Sequence, residues 1–310
     1  MPTYPSRRPE FSDTAPAAEV VGGARRAAPG WLAELAALTK LRLTATVVLS
    51  AALAYLIAAD VFDATVFAFI VFGGFATTMA ANALNQVLER DYDPHMRRTA
   101  ERPVAAGRMS ISRAVLIAGL LSLAGTVALA SVNPLVALLG MLALLSYAFV
   151  YTPLKRISVA AVFVGAIPGA IPALIGTAAA EGTLSTLGWT LFAIQVLWQL
   201  PHFWAIGWLA FDDYRAAGFR LLPTTPTGER DPGTGLQALV YALLLAGLVW
   251  LPYVLGSWSL LAAGLSCLLS IAYAYAGWGL YVNRDRASAL RLMFASLAYL
   301  PLVFAAGWLL

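Results

Sequence analysis

Nine stretches of this chain are apolar throughout and close to, or longer than, the roughly 20 residues that an α-helix needs to cross a bilayer. They run from Leu43 to Ala59, Thr65 to Leu88, Ala114 to Ser131, Pro134 to Tyr151, Ser158 to Ala179, Ser185 to Ala210, Leu236 to Leu255, Ser259 to Tyr281 and Leu292 to Leu310. None has an Asp, Glu, Lys or Arg in its interior. The sequence therefore predicts an all-α fold, a polytopic membrane helical bundle of about nine transmembrane helices. Only the Asn133–Pro134 turn signal separates the third span from the fourth, and without that break the count is eight. Composition agrees: 60% of residues are hydrophobic and 12% charged, against about a quarter charged in soluble domains.

With nine spans, all 20 Lys and Arg fall in the segments on one side, and the other side keeps only Asp60, Asp63 and Glu181. The bias of basic residues towards the cytoplasm places the N-terminus and the long connections there. The net charge of +4 then reflects topology and predicts no nucleic-acid partner. Cys267 is the single cysteine, so disulfide frameworks, thiol redox chemistry and Cys-based metal sites are excluded. Residues 1–30 read as a disordered cytoplasmic tail, rich in Ala, Pro, Gly and Arg, and residues 31–310 as the membrane domain.

Two long cytoplasmic connections, 89 to 113 after the second span and 211 to 235 after the sixth, suggest a four-helix pseudo-repeat with a ninth span appended. The absence of intramembrane charge argues against a proton-coupled transporter. In the fifth span "VGAIPGAIPALIG", with Pro168 and Pro172 among glycines, predicts a kinked, tightly packed helix.

The first connection begins "NQVLERDYDPHMRRTAERP", residues 85–103. Asn85, Glu89 and Asp93 recur every four residues, within roughly 80° of one helix face, and Pro94 predicts that the helix ends there. One amide and two carboxylates at this spacing suit Mg²⁺ that shares its shell with phosphate oxygens. Arg97, Arg98 and Arg102 follow, with guanidinium forks suited to phosphate. Surface ion pairs worth about 0–1 kcal/mol each are the plain alternative.

The second connection is entered through "QLPHFWAIGWLAFDDYRAAGFRLLPTTP", residues 199–226. Here His202, Trp204 and Trp208 precede Asp212, Asp213 and Tyr214, whereas Ala217 stands where a second spaced acid would complete a metal pair. His202 is open to three readings: an axial iron ligand, a base, or a polar residue satisfied inside the bundle. His95 is a weaker candidate for any of them. Aromatic faces beside a diphosphate would stabilise an allylic cation, although Trp and Tyr also populate membrane interfaces. "LTKLRLT" supplies Lys40 and Arg42, and "YTPLKR" supplies Tyr151, Lys155 and Arg156, as further phosphate contacts or as basic residues placed by topology alone.

Taken together these phrases resemble the UbiA-type intramembrane prenyltransferases and, within them, the haem O synthase branch, from about Leu38 to Leu310. Asn85, Glu89, Asp93, Met96, Arg98, Thr99, Arg102 and Pro103 carry the most specific match, and "YTPLKR" and "HFWAIGWLAFDDYRAAGFRLLPT" follow in the same order. The sequence departs from relatives at Leu41, where bacterial members often have proline, at Glu89, where an aspartate is usual, and at Ala217. The resemblance implies a bundle around a central cavity, farnesyl diphosphate and Mg²⁺ at its cytoplasmic rim, and haem b as acceptor in a bacterial cytoplasmic membrane. It further implies that Asn85, Glu89, Asp93 and Asp213 hold the metal and act in catalysis. Lys40, Arg42, Arg98, Arg102, Lys155 and Arg156 would bind diphosphate, and His202, Trp204, Tyr214 and Tyr151 would line a haem or prenyl pocket. Haem–copper oxidase assembly factors are the expected protein partners. Two rivals stay open: a related enzyme acting on a quinone precursor or other aromatic ring, and a haem carrier without catalysis.

Overall fold

The structure, a computed structural model, describes residues 30–310. The tail expected over residues 1–30 lies, apart from Gly30, outside the described residues. The chain begins with a short helix α1 (Trp31–Thr39) and turns at Lys40 into α2 (Leu41–Ala58), followed by α3 (Ala64–Leu88) and α4 (Ile111–Ala130). Helix α5 (Pro134–Leu145) runs through a π-helical turn (Ser146–Tyr151) into the short α6 (Thr152–Leu154). Then come α7 (Ala161–Glu181), α8 (Thr186–Leu209), the short α9 (Phe211–Ala216), and α10 (Gly233–Leu248), which is extended by α11 (Leu251–Val254). Helices α12 (Leu260–Asn283) and α13 (Arg286–Leu309) complete the bundle. Helix α1 is a short element ahead of the first expected span; the spans themselves fall where the apolar stretches predict them.

Among the described residues, eight helical stretches are both long and apolar enough to cross a membrane. The one expected span outside that set, the sixth, is α8, which has the length, at 24 residues, but its apolar character is diluted by Gln195, Gln199 and His202. Six spans start on a side-chain cap: Asp63, Ser110, Asn133, Ser185, Ser259 and Asp285 each accept from a backbone N–H of the first turn. Such caps satisfy donors the helix leaves unpaired, each worth about 0.5–2 kcal/mol.

Consecutive spans are neighbours around the bundle, and α13 returns to α2, so the helices close a ring. Outward faces carry exposed leucines such as Leu116, Leu120 and Leu123 on α4, and Leu261 and Leu268 on α12, the pattern of lipid contact. Small residues let helix backbones meet. At Gly176 of α7 an added methyl would fall on the Ala51 carbonyl and the Tyr55 N–H of α2, and Gly73 and Gly125 bring α3 and α4 together similarly. Helix α7, with Pro168 and Pro172 inside it, is continuous and is the most enclosed span, 78% buried. Gln195 and Gln199 of α8 donate to the Gly169 and Ala166 carbonyls of its proline-bearing segment (2.9 and 3.1 Å).

The connections after α3 and α8 lie at one end of the ring, where Arg98 Nη2 donates to Tyr214 OH (3.2 Å). Below them a cavity of about 440 Å³ opens between α2, α3, α5, α7, α8 and α13.

Candidate active site at the mouth of the cavity

Helix α3 ends at Leu88, one residue before Glu89, and a 3₁₀ turn (Asp93–His95) follows. The four-residue spacing survives the helix end because Glu89 N–H still donates to the Asn85 carbonyl and Asp93 N–H to that of Glu89, both at 2.9 Å. Asn85, Glu89 and Asp93 consequently stay on one side and are all buried, at 1%, 4% and 0% exposure. This removes the surface ion-pair alternative: the acids are interior groups. Asp91, off the stripe, is exposed and pairs only with Arg90.

Each oxygen-bearing side chain is met by a cation from a different element. Lys40, at the α1–α2 junction, donates to Asn85 Oδ1 at 2.8 Å, and Asn85 Nδ2 donates to Thr152 Oγ1 at 3.2 Å. Lys155, just after α6, donates to Glu89 Oε1 at 2.8 Å. Arg102 Nη1 reaches both acids, at 3.3 Å from Glu89 Oε2 and 2.7 and 2.8 Å from the two Asp93 oxygens. Asp93 is thereby held one layer behind the cavity wall, while Lys40, Asn85, Glu89, Arg98, Arg102 and Lys155 line it.

The π-turn shapes the next layer down, as such turns often do at functional sites. It brings the Tyr147 and Tyr151 rings side by side, centroids 5.5 Å apart and tilted at 46°, and leaves Lys155 Nζ 4.4 Å from the Tyr151 ring and 5.9 Å from that of Tyr147. Thr152 Oγ1 closes the turn on the Tyr147 carbonyl.

Charges in this cluster tune one another. Burial opposes ionisation of Glu89, but the Lys155 charge and hydrogen bond, with Lys40 and Arg102, outweigh it and hold the carboxyl below its usual range. Lys155 is likewise opposed by burial and held above its usual value by Glu89. For Asp93 burial wins over Arg102 and raises the carboxyl. Burial, then the Arg102 charge, pushes Lys40 well down. Arg98, Arg102, Lys40 and Lys155 share the cavity mouth with two carboxylates, four basic groups to two acidic ones, and a multiply charged anion arriving there would favour the charged form of Lys40.

Other expected residues fall elsewhere. Asp213 is half-buried on α9 and does not line the cavity, although its neighbour Tyr214 does. Among the described residues no three His, Cys, Asp or Glu side chains are close enough to share a metal. A metal reached from the cavity would therefore draw on Glu89 and Asn85 Oδ1, which line it, on oxygens brought by a substrate, and on Asp93, one layer behind, once its pair with Arg102 opens. That mix of few carboxylates and bound phosphate is usual for Mg²⁺, so the donor set fits. Arg42 is exposed and off the wall. Arg156 is exposed as well, bonded to Tyr92 OH with its guanidinium 4.4 Å over that ring. Trp204 is fully buried against Phe163 of α7, behind the wall. Tyr151 and His202 do line the cavity.

Helix α8 adds Gln195 and Trp198, which the sequence phrases did not contain, to Gln199 and His202, which they did. Gln195, Trp198, Gln199 and His202 recur at helical spacing and all face the cavity, and the Gln195 Oε1 is buried without a partner. The run "QVLWQLPH" held that signal as a polar stripe inside an apolar span. Tyr147 and Thr152 were not singled out because their roles depend on the π-turn, whereas Thr99, part of the motif, donates to the Asp93 carbonyl at 2.9 Å.

The UbiA prenyltransferase family matches residues 13–298. The protohaem IX farnesyltransferase of Christiangramia forsetii is 40% identical over 276 residues, covering 88% of this chain and 91% of that one. That of Cytophaga hutchinsonii is 41% identical over 271 residues, 86% and 93% of the two chains. Among solved structures, a digeranylgeranylglyceryl phosphate synthase superposes with a TM-score of 0.73 at 16% identity, over 89% of this chain and 97% of that one. A UbiA homologue from Archaeoglobus fulgidus bound to GPP and Mg²⁺ gives 0.59 at 14% identity, over 88% and 99%. Helix order, cavity and sequence thus agree, and the chain belongs to the UbiA prenyltransferase family.

Proposed function

We propose that this protein is a haem O synthase, transferring farnesyl from farnesyl diphosphate to a vinyl group of haem b in a bacterial cytoplasmic membrane, with its cation-rich rim on the cytoplasmic side. The observation that carries the donor half is the cluster in which Lys40, Arg98, Arg102 and Lys155 surround buried Glu89 and Asp93 at the mouth of an apolar cavity. Identity of about 40% to protohaem IX farnesyltransferases over most of both chains supports the acceptor.

In this reading the diphosphate sits among the four cations, which neutralise charge as the allylic C–O bond breaks and its electron pair leaves with the diphosphate. Mg²⁺ bound through Glu89, Asp93 and Asn85 would supply Lewis-acid stabilisation of that leaving group. The prenyl chain lies down the cavity beneath Tyr147 and Tyr151, whose π faces stabilise the allylic cation by about 0.5–2 kcal/mol each. The haem vinyl π pair forms the new C–C bond, water adds to the other vinyl carbon, and a proton is lost, leaving a hydroxyethylfarnesyl side chain. Tyr214, bonded to Arg98, ties the second connection to the diphosphate rim. His202 and Tyr151 contribute to the pocket that receives the organic substrates. Asp213, off the wall, acts only if the second connection moves inward when substrate binds.

The test is to offer the purified full chain haem b and 4-hydroxybenzoate side by side with radiolabelled farnesyl diphosphate and Mg²⁺. Label in haem O with release of diphosphate supports the reading. Label in the benzoate alone would make it a quinone-precursor enzyme, and haem binding without diphosphate release would make it a carrier.

A further inference from the structure

His202 lines the cavity from α8, and its surroundings distinguish its two ring nitrogens. Nδ1 is 2.7 Å from Ser296 Oγ of α13. The single hydroxyl proton of Ser296 is already committed: Oγ donates to the Met293 carbonyl at 2.5 Å, one turn back on the same helix. Ser296 Oγ must then accept from His202, which places the imidazole proton on Nδ1. Nε2 is left with a bare lone pair, has no hydrogen-bond partner, and is not among the enclosed unpartnered atoms, on a residue that lines the cavity.

The ring is also fixed in plane. Trp198 stacks on it, with centroids 5.3 Å apart and 14° between the planes. Trp198 is anchored in turn: its Nε1 donates to the Ser296 carbonyl at 2.7 Å, and Tyr273 OH of α12 donates to its own carbonyl at 3.1 Å. Three helices therefore hold one imidazole with its tautomer and its orientation set. A histidine that was merely satisfied in the core would have both nitrogens paired.

We propose that His202 Nε2 is the ligand for the iron of the porphyrin acceptor and that Ser296 is the positioning residue that fixes the Nδ1–H tautomer this requires. The inference rests on the haem reading above and adds the ligating atom. Iron coordination by a neutral imidazole whose other N–H is hydrogen-bonded is a common arrangement in metal sites. It would anchor the porphyrin by its centre and leave its vinyl edge to reach the prenyl cation under the tyrosines.

The experiment uses the full chain in lipid nanodiscs, titrated in parallel with ferric haem b and with iron-free protoporphyrin IX. The wild type is expected to bind the iron porphyrin at least about 10-fold more tightly than the iron-free one and to show a histidine-ligated Soret band. His202→Ala should abolish that preference while leaving protoporphyrin affinity unchanged, and in His202→Gly added imidazole should restore the ligated band. Ser296→Ala should weaken haem binding by about 10-fold, the usual effect of losing an outer-shell partner, and Ser296→Thr should recover it. An unaltered band and preference in His202→Ala would overturn the ligand assignment, and unaltered haem affinity in Ser296→Ala would overturn the role of the serine. Farnesyl transfer is followed in the same samples. Transfer that proceeds with a band indifferent to His202 sinks the ligand and spares the function, whereas a wild type that neither binds nor farnesylates haem sinks both.

Discussion

Arg102 is shared between two buried acids through a single nitrogen: Nη1 lies 3.3 Å from Glu89 Oε2 and 2.7 and 2.8 Å from the two Asp93 oxygens. A lysine in its place carries a compact, strongly hydrated ammonium on a flexible stem and gives up the rigid guanidinium that holds this nitrogen between the two acids. Arg102→Lys should lower farnesyl transfer by about 10- to 100-fold, corresponding to the roughly 1.5–3 kcal/mol of a hydrogen bond to a charged group, when rates are compared at saturating farnesyl diphosphate. Asp93→Asn should act more strongly, because it removes a charge from a pair with no solvent to compensate it. Breaking a buried pair costs about 3–5 kcal/mol, so thermal unfolding in detergent should shift down while transfer falls below about 1% of wild type. The sequence displays the acids and amide at their four-residue spacing, but not their partners. Lys40, Arg102 and Lys155 come from three elements, and positive-inside bias accounts for each of them equally well until the fold brings them to Asn85, Glu89 and Asp93.

Among the elements, the π-turn at Ser146–Tyr151 and the glycine facing it show how helix geometry sets the pocket. A methyl at Gly165 of α7 would stand 2.5 Å from Tyr151 Cε2. Gly165→Ala should therefore destabilise the protein by about 1–3 kcal/mol, the usual cost of overpacking, and slow transfer by displacing the ring beside Lys155. Adding Tyr151→Leu should recover part of the lost stability without recovering activity, and a double-mutant cycle of melting temperatures and rates measures both. The helices themselves were legible from runs of apolar residues. The π-turn was not, because nothing in "SYAFVY" distinguishes an extra residue per turn from an ordinary helix. Helix α8 shows the opposite case: the polar stripe that makes it a poor span by hydropathy is the same stripe that faces the cavity.

At the scale of the whole molecule, charge distribution and ring closure make one end of the bundle chemical and the other inert. In a background of Cys267→Ala, single cysteines placed at Asp60 and Ser257, both exposed, should react with a membrane-impermeant maleimide added outside intact cells. A cysteine at Arg97, exposed in the first connection, should react only after the membrane is opened. Labelling in the reverse sense would invert the assigned orientation. Nine apolar runs were enough to predict the bundle, and the cavity follows from small residues that draw the helices together at some heights and from bulky rings that hold them apart at others.

Because Glu89 and Asp93 are already paired with the chain's own Lys155 and Arg102, the scaffold does not depend on a metal to balance them. Chelation with EDTA should stop turnover completely while the melting temperature changes by less than about 2 °C, in contrast to folds that collapse when their ion is stripped. In the proposed reaction the resting protein resembles a lock whose levers rest against one another: each arriving magnesium–diphosphate unit would exchange one set of counter-ions for another, and its departure would return the same paired state.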